Sequence, residues 1–451
     1  MSIAPTSGTP EPPAQAAGWR ARFGPLSEPV FRRYWLGQAV SHFGDRIAPV
    51  ALAFAVLEIS GSATDLGLVV AAGTVPLAVL LLVGGVWADR LDRRRVMLVA
   101  DAVRAVVQGV AAVLLLTGEA QIWQLAVLAA MAGAAQAFFE PAGTGMVPQV
   151  VSPARLGQAN ALVGLSHNAA MIVAPLVAGA LVAAASPGAA IAVDAATFVV
   201  SAAFLWRLRP RPSEPSERST FVTELVGGFR EVTSRSWLGA MIIGFTVYHA
   251  IVLPALLVLG PVVSERRYEG ATTWAVITSA FGVGAVLGAL AALKARPRRP
   301  IVWCSVLLVG GSVQPLIVGT WLPLAAMAGL IAISGASISV LFVIWDTTLA
   351  REIPPQALSR VSSFDFFGSV VGMPLGFAVI GPVSDWLGLT ETMVIASAIG
   401  VAWALVTAAL PSVRGLREDP ASRTTRTGEP VPTYHAPHPP TDPSPAPPTL
   451  A

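Results

Sequence analysis

Long apolar runs alternate with short polar connections along almost the whole chain. The runs fall near residues 34–57, 65–88, 96–117, 122–145, 158–185, 189–206, 237–262, 272–293, 301–321, 323–347, 362–385 and 390–410. Each is close to the roughly 20 residues a helix needs to cross a hydrocarbon core, where backbone polar groups must be satisfied internally. The pattern predicts an all-α membrane protein with twelve transmembrane helices. Between the sixth and seventh runs, Arg207 to Arg235 carries Pro210, Pro212, Pro215 and many charges, the composition of a linker. The chain therefore divides into an arm (1–30), a six-helix bundle (31–207), a central loop (208–235), a second bundle (236–410) and a tail (411–451). Arm and tail are rich in Pro, Ser and Thr or Ala, which predicts disorder. The arm also lacks the charged and apolar regions of a signal peptide.

Composition agrees. The chain is 54% hydrophobic and only 12% charged, about half the charge of an ordinary soluble domain. Its basic balance reports topology rather than nucleic-acid binding. Arginines and the lone lysine gather after the even-numbered runs, at Arg90 to Arg95, Arg155, Arg207 to Arg235, Lys294 to Arg299 and Arg351 to Arg360. The other side has Arg266 and Arg267, beside Glu265 and Glu269. By the positive-inside rule both termini are cytoplasmic and the protein lies in the cell membrane. Trp35, Trp123, Trp237, Trp303 and Trp386 near the run ends fit an interfacial belt.

Cys304 is the only cysteine, so an intramolecular disulfide and a thiolate metal cluster are both out of reach. No metal and no cofactor is expected. His435 and His438 belong to the solvated tail. The chain contains no Gly-x-x-x-x-Gly-Lys-Ser/Thr phosphate loop, no His-Glu-x-x-His and no Gly-x-Ser-x-Gly, so an enzyme is not expected.

The connection after the second run reads Gly84-Gly85-Val86-Trp87-Ala88-Asp89-Arg90-Leu91-Asp92-Arg93-Arg94-Arg95. Its pattern Gly85-x-x-x-Asp89-Arg90-x-x-Arg93-Arg94 resembles the loop signature of the major facilitator superfamily. That resemblance implies a cytoplasmic loop that braces the inner ends of the two helical halves and helps gate them. The family usually has glycine where Asp92 stands. Asp adopts left-handed backbone more readily than most residues, so the turn tolerates the change.

An internal repeat supports two halves. Glu140, Pro148-Gln149, Arg155 and Asn160 recur as Asp346, Pro355-Gln356, Arg360 and Asp365, with an offset of about 205 residues. Parallel repeats with a cavity at their interface are a transporter architecture. Phe31-Arg32-Arg33-Tyr34-Trp35-Leu36-Gly37-Gln38 leading to Gly44-Asp45, Phe138-Phe139-Glu140-Pro141-Ala142 and Asp194-Ala195-Ala196-Thr197-Phe198 resemble the third drug:proton antiporter group. That branch includes macrolide-efflux and siderophore-exporter-like proteins. The resemblance implies proton-driven export of a small amphipathic molecule through alternating access, with protons, substrate and bilayer as partners and a monomeric chain. Proton-coupled uptake, transport of a lipid or peptide, and a membrane receptor or scaffold are the competing readings.

Ionisable groups inside spans are costly and therefore functional candidates. Asp45, near the middle of the first span, is the expected proton-coupling carboxylate, the competing role being a local structural pair. Gln38 falls on its helical face and is expected to line the cavity with Asp45, Arg46 and Asp194. Asp101 and Arg104, three residues apart, are expected to form an intrahelical pair, the competing role being direct work in transport. Glu140 and Asp346 are expected to pair with loop residues Arg155 and Arg360 when the inner gate closes, against a solvated alternative. His42, His167 and His249 are expected to pack rather than relay protons. Pro175, Gly179, Gly372 and Pro374 are expected to let the fifth and eleventh spans bend. Gly164, Ala174-Pro175 and Gly179 in the fifth span loosely resemble the antiporter signature of that helix, with Ala174 where that signature usually has glycine.

Overall fold

The computed structural model describes residues 24–88, 91–211 and 229–416. Among them are twelve helices long and apolar enough to cross a membrane. They are α1 (Pro29–Ser60), α2 (Ala63–Ala88), α3 (Arg93–Thr117), α4 (Ile122–Val150), α5 (Leu156–Ala184), α6 (Pro187–Trp206), α7 (Ser236–Arg267), α8 (Ala271–Ala292), α9 (Pro300–Gly319), α10 (Leu324–Glu352), α11 (Arg360–Leu387) and α12 (Leu389–Ala409). No strand occurs among the described residues.

Local chemistry sets the helix ends. Pro29 occupies the first turn of α1, where a missing N–H costs nothing, and Gly61 closes that helix in the left-handed region at φ 64° with its N–H on Leu57 O. Asp92 needs no left-handed backbone. It sits at φ −62°, ψ 110° as the N-cap of α3, its carboxylate accepting from the Arg95 N–H at 3.3 Å. Two spans are interrupted. A π-turn over Tyr248–Val252 precedes Pro254 in α7, and α11 breaks at Gly372, just before Pro374. Pro175 leaves α5 continuous.

The halves are built alike. Within the first, α2 packs on α4 and α1 on α5 and α6; within the second, α8 packs on α10 and α9 on α10 and α12. Glycines permit the closest crossings: a Cβ on Gly133 would stand 2.0 Å from Gly73 O, and one on Gly284 would stand 1.8 Å from Ala332 O. The bundles are joined chiefly by two cross-half pairs, α2 with α11 and α5 with α8. There Gly67 meets Phe377 O and Gly179 meets Ala271 and Ala275.

The apolar core is single at one end and divided at the other. Away from the arginine-rich connections, one cluster runs continuously from Phe54 and Leu66 through Ala178 to Val258, Trp274, Phe377 and Met393, using both halves. Toward the arginine-rich connections the halves keep separate clusters, one around Phe31, Met97, Phe139 and Met146, the other around Leu238, Met241, Leu341 and Trp345. Among the described residues the bundles thus share one apolar core at one end and keep two at the other.

Three expectations are corrected. Residues 24–28, assigned to the disordered arm, are ordered: Gly24–Ser27 form a 3-10 turn seated on the α4–α5 connection. Glu28 accepts there from the Ser152 N–H at 3.0 Å and hydroxyl at 2.6 Å, and Arg155 donates to Gly24 O, Ser27 Oγ and Glu28 Oε1. In the central loop, residues 229–234 are helical. Trp237 is buried against Trp345 rather than placed in a belt, whereas Trp123, Trp303 and Trp386 are exposed.

Candidate functional site

A cavity of about 580 Å³ lies on the seam between the halves. Its charged lining comes wholly from the first half: Asp45 and Arg46 on α1, Arg104 on α3 and Asp194 on α6, with Gln108 and Gln136 beside them. The second half contributes Tyr248, Trp274, Thr278, Phe281 and Gln314. Both walls are largely apolar; the first half's, the ionic wall, carries the four charges, and the second half's sets aromatic and neutral polar groups among Leu253, Leu256, Leu257, Ile277 and Ile331.

Arg104 organises the ionic wall. Its Nη2 lies 2.6 Å from Asp101 Oδ1, the pair that the three-residue spacing predicts. Its Nη1 lies 3.0 Å from Asp45 Oδ1, a contact between α3 and α1 that local spacing does not reveal. The guanidinium is stacked between Phe139 and Phe198, its carbon 4.2 Å from each ring centre. Flat aromatic faces suit a planar cation and exclude water from it. Asp101 is fully buried, while the Asp45 side chain keeps 26% exposure. Asp45 is therefore the carboxylate of this triad that reaches the cavity.

Asp194 accepts from Gln108 Nε2 at 2.7 Å, so it both touches α3 and lines the cavity. Gly44 makes room for it: a Cβ there would stand 2.0 Å from Thr197 Oγ1 and 2.5 Å from Asp194 Oδ1. Gln38 is a correction. It lies nearly two turns nearer the arginine-rich end than Asp45, is buried against α6 and donates to Ser201 Oγ at 3.4 Å, outside the cavity lining.

The histidines do more than fill space. His42 Nδ1 lies 3.8 Å from Asp45 Oδ2, its ring meets His167 edge-on at 5.5 Å, and His167 Nε2 lies 2.9 Å from Arg46 Nη2. His249 bonds Phe245 O on its own helix. Gln108, Gln136, Tyr248 and Gln314 escaped sequence reasoning because neutral polar residues in spans are common; the usable signal was the glutamine one turn after Arg104.

At the arginine-rich end, Asp89 and Arg90 lie outside the described residues, and Gly85 is described only as part of α2. Arg93 donates to Gly145 O of α4 at 2.6 Å. Arg94 donates to Leu205 O at 2.8 Å and to Trp206 O, satisfying carbonyls at the end of α6. This half of the signature ties α3 to α4 and α6. The gate candidates are apart in this arrangement: Arg155 is engaged by Glu28, Glu140 accepts from Gln136 at 3.4 Å, and Asp346 and Arg360 are exposed. Gly179 and Gly372 serve close contact, the first with α8 and the second with Ala250 in the π-turn of α7.

Comparison with known proteins gives these features a family. The multidrug efflux pump Tap of Mycolicibacterium fortuitum is 29% identical over 386 residues, covering 83% of this chain and 93% of its own. Macrolide efflux protein A of Streptococcus pyogenes is 25% identical over 402 residues, covering 86% and 97%. Among solved structures, a bacterial homologue of the human lysosomal transporter Spinster, inward-facing and unoccupied, superposes with TM-score 0.67 at 14% identity, covering 88% of this chain and 99% of its own. A bacterial homologue of the iron transporter ferroportin, also inward-facing, gives TM-score 0.66 at 16% identity over 85% and 99%. The match to the family described as transmembrane secretion effector spans residues 20–432, so the chain belongs to that family of major facilitator transporters and is a multi-pass membrane protein, not an enzyme.

Proposed function

We propose that this chain exports small amphipathic molecules across the cell membrane, exchanging them for protons by alternating access, with both termini in the cytoplasm. The carrying observation is the seam cavity, placed between a core shared by both halves and the two cores that separate them. Its volume suits a drug-sized molecule, and its walls combine apolar area with a few placed polar groups. The arginine-rich end, where the halves part, is the cytoplasmic entrance by the distribution of basic residues. Relatives named for multidrug and macrolide efflux support the direction.

Asp45 is the proposed proton site. It faces the cavity, and Arg104 keeps Asp101 as partner whether Asp45 is ionised or neutral. Protonation thus loosens the α1–α3 contact without stranding a buried cation. The proposed closed inner gate pairs Glu140 and Asp346 with Arg155 and Arg360; Arg155 must first leave Glu28. The test is accumulation of fluorescent dyes and macrolides in expressing cells, with and without a proton uncoupler. Lowered accumulation that the uncoupler abolishes is expected. Raised accumulation would replace export by uptake, and lowered accumulation indifferent to the uncoupler would remove the proton.

A further inference from the structure

The two cavity guanidiniums are supported in unlike ways. Arg104 is matched by Asp45 and Asp101. Arg46 has no carboxylate within ion-pair distance among the described residues; its partner is His167, with Nη2 2.9 Å from Nε2. A guanidinium only donates, so the imidazole accepts at Nε2 and carries its proton on Nδ1. The bond exists only while His167 is neutral.

The ionisable groups that face His167 come from α1: Arg46 in contact, His42 at 5.5 Å between rings, and Asp45 beyond His42. Of the other helices packed on α5, α8 has no ionisable residue, while α4 and α6 carry Glu140 and Asp194, neither within ion-pair distance of His167 among the described residues. A cation held by a neutral ring on a largely apolar wall retains an unmet demand for an anion.

We propose that Arg46 is the receptor for an anionic group of the cargo, a carboxylate, and that His167 is the residue that positions it. This rests on the transport reading above. With His167 neutral, a carboxylate bonds Arg46 alone. When His167 takes a proton at Nε2, its acceptor becomes a donor, the hydrogen bond becomes a like-charge contact, and a carboxylate bridging both cations restores balance. Anion and the His167 proton therefore favour each other's binding, this proton being separate from the one exchanged at Asp45.

Two fluorophores that differ only at the relevant group provide the test: tetramethylrhodamine as free acid and as methyl ester, titrated by anisotropy onto the purified full chain between pH 5.5 and 8. The acid's carboxylate stays ionised throughout. Its affinity is expected to rise about tenfold as pH falls, with no such gain for the ester. R46Q is expected to weaken the acid about tenfold and not to weaken the cationic ester, which no longer meets a like charge and whose retained binding reports a folded chain. H167Q, whose amide oxygen still accepts from Arg46, should hold the pH 8 affinity and lose the pH dependence. Equal responses of acid and ester to R46Q, or an undiminished pH slope in H167Q, would overturn the proposal. Binding of the ester without the acid would overturn it while sparing the transport reading; failure of both to bind would overturn both.

Discussion

Two carboxylates hold Arg104, and the structure separates their roles. Asp101 Oδ1 lies 2.6 Å from the guanidinium with its side chain fully buried; Asp45 Oδ1 lies 3.0 Å away with 26% exposure. Removing one member of a buried ion pair costs about 3–5 kcal/mol, because the other charge stays desolvated. D101N retains Asp45 as a second anion, which puts its cost near the lower end, about 3 kcal/mol. D45N keeps a carbonyl acceptor of the same shape at a partly solvated position and leaves Asp101 in place, so its cost is about 1 kcal/mol. The difference, about 2 kcal/mol, is roughly a thirtyfold change in the folded-to-unfolded ratio. The assay pairs thermal unfolding of both variants in detergent with uncoupler-sensitive dye efflux from cells. D101N should lower the apparent melting temperature well below that of D45N. D45N should reach the membrane at the native level and yet fail to transport. Equal destabilisation by the two variants would refute the division of labour, and uncoupler-sensitive efflux by D45N would remove Asp45 as the proton site.

G44A places a methyl 2.0 Å from Thr197 Oγ1 and 2.5 Å from Asp194 Oδ1, so α1 and α6 must separate. A loss of about 1–3 kcal/mol in thermal stability is expected, and an unchanged melting temperature would contradict the close approach. Thr64 Oγ1 donates to Asp385 Oδ2 at 2.6 Å across the shared end of the halves. A T64C/D385C disulfide is expected to arrest transport until reduced, and full activity of the cross-linked form would contradict opening at that end. The Ser152 hydroxyl first, aided by its N–H and by Arg155, holds the Glu28 carboxyl below its usual range against the opposing effect of burial. Because the folded value is depressed, this contact's stability is present above the usual carboxylate range and is lost as pH falls through the lowered one. The protection factor of the Ser152 amide, taken against its intrinsic exchange rate at each pH, should fall in acid and, in E28Q, be low already at neutral pH; equal protection in both proteins would contradict the Glu28–Ser152 contact.

The twelve spans were legible from the chain alone because a bilayer imposes a one-dimensional rule: the segment must be apolar and must satisfy its own backbone. Asp101 with Arg104 was legible for a related reason, since three-residue spacing places both on one helix face. The candidacy of Asp45 and Asp194 also came from sequence, since each is a charge inside an apolar run and both line the cavity. What the chain does not encode locally is how each helix is turned. A span that is apolar all round carries little signal for which side meets a neighbour. Gln38 therefore looked like a cavity residue and is packed on Ser201, Arg155 looked free for Glu140 and is on Glu28, and Arg46 beside Asp45 is held by His167. These contacts join residues more than a hundred positions apart. Tertiary packing alone decided them, because helix rotation and crossing distance are set where glycines such as Gly44, Gly133 and Gly284 let backbones meet.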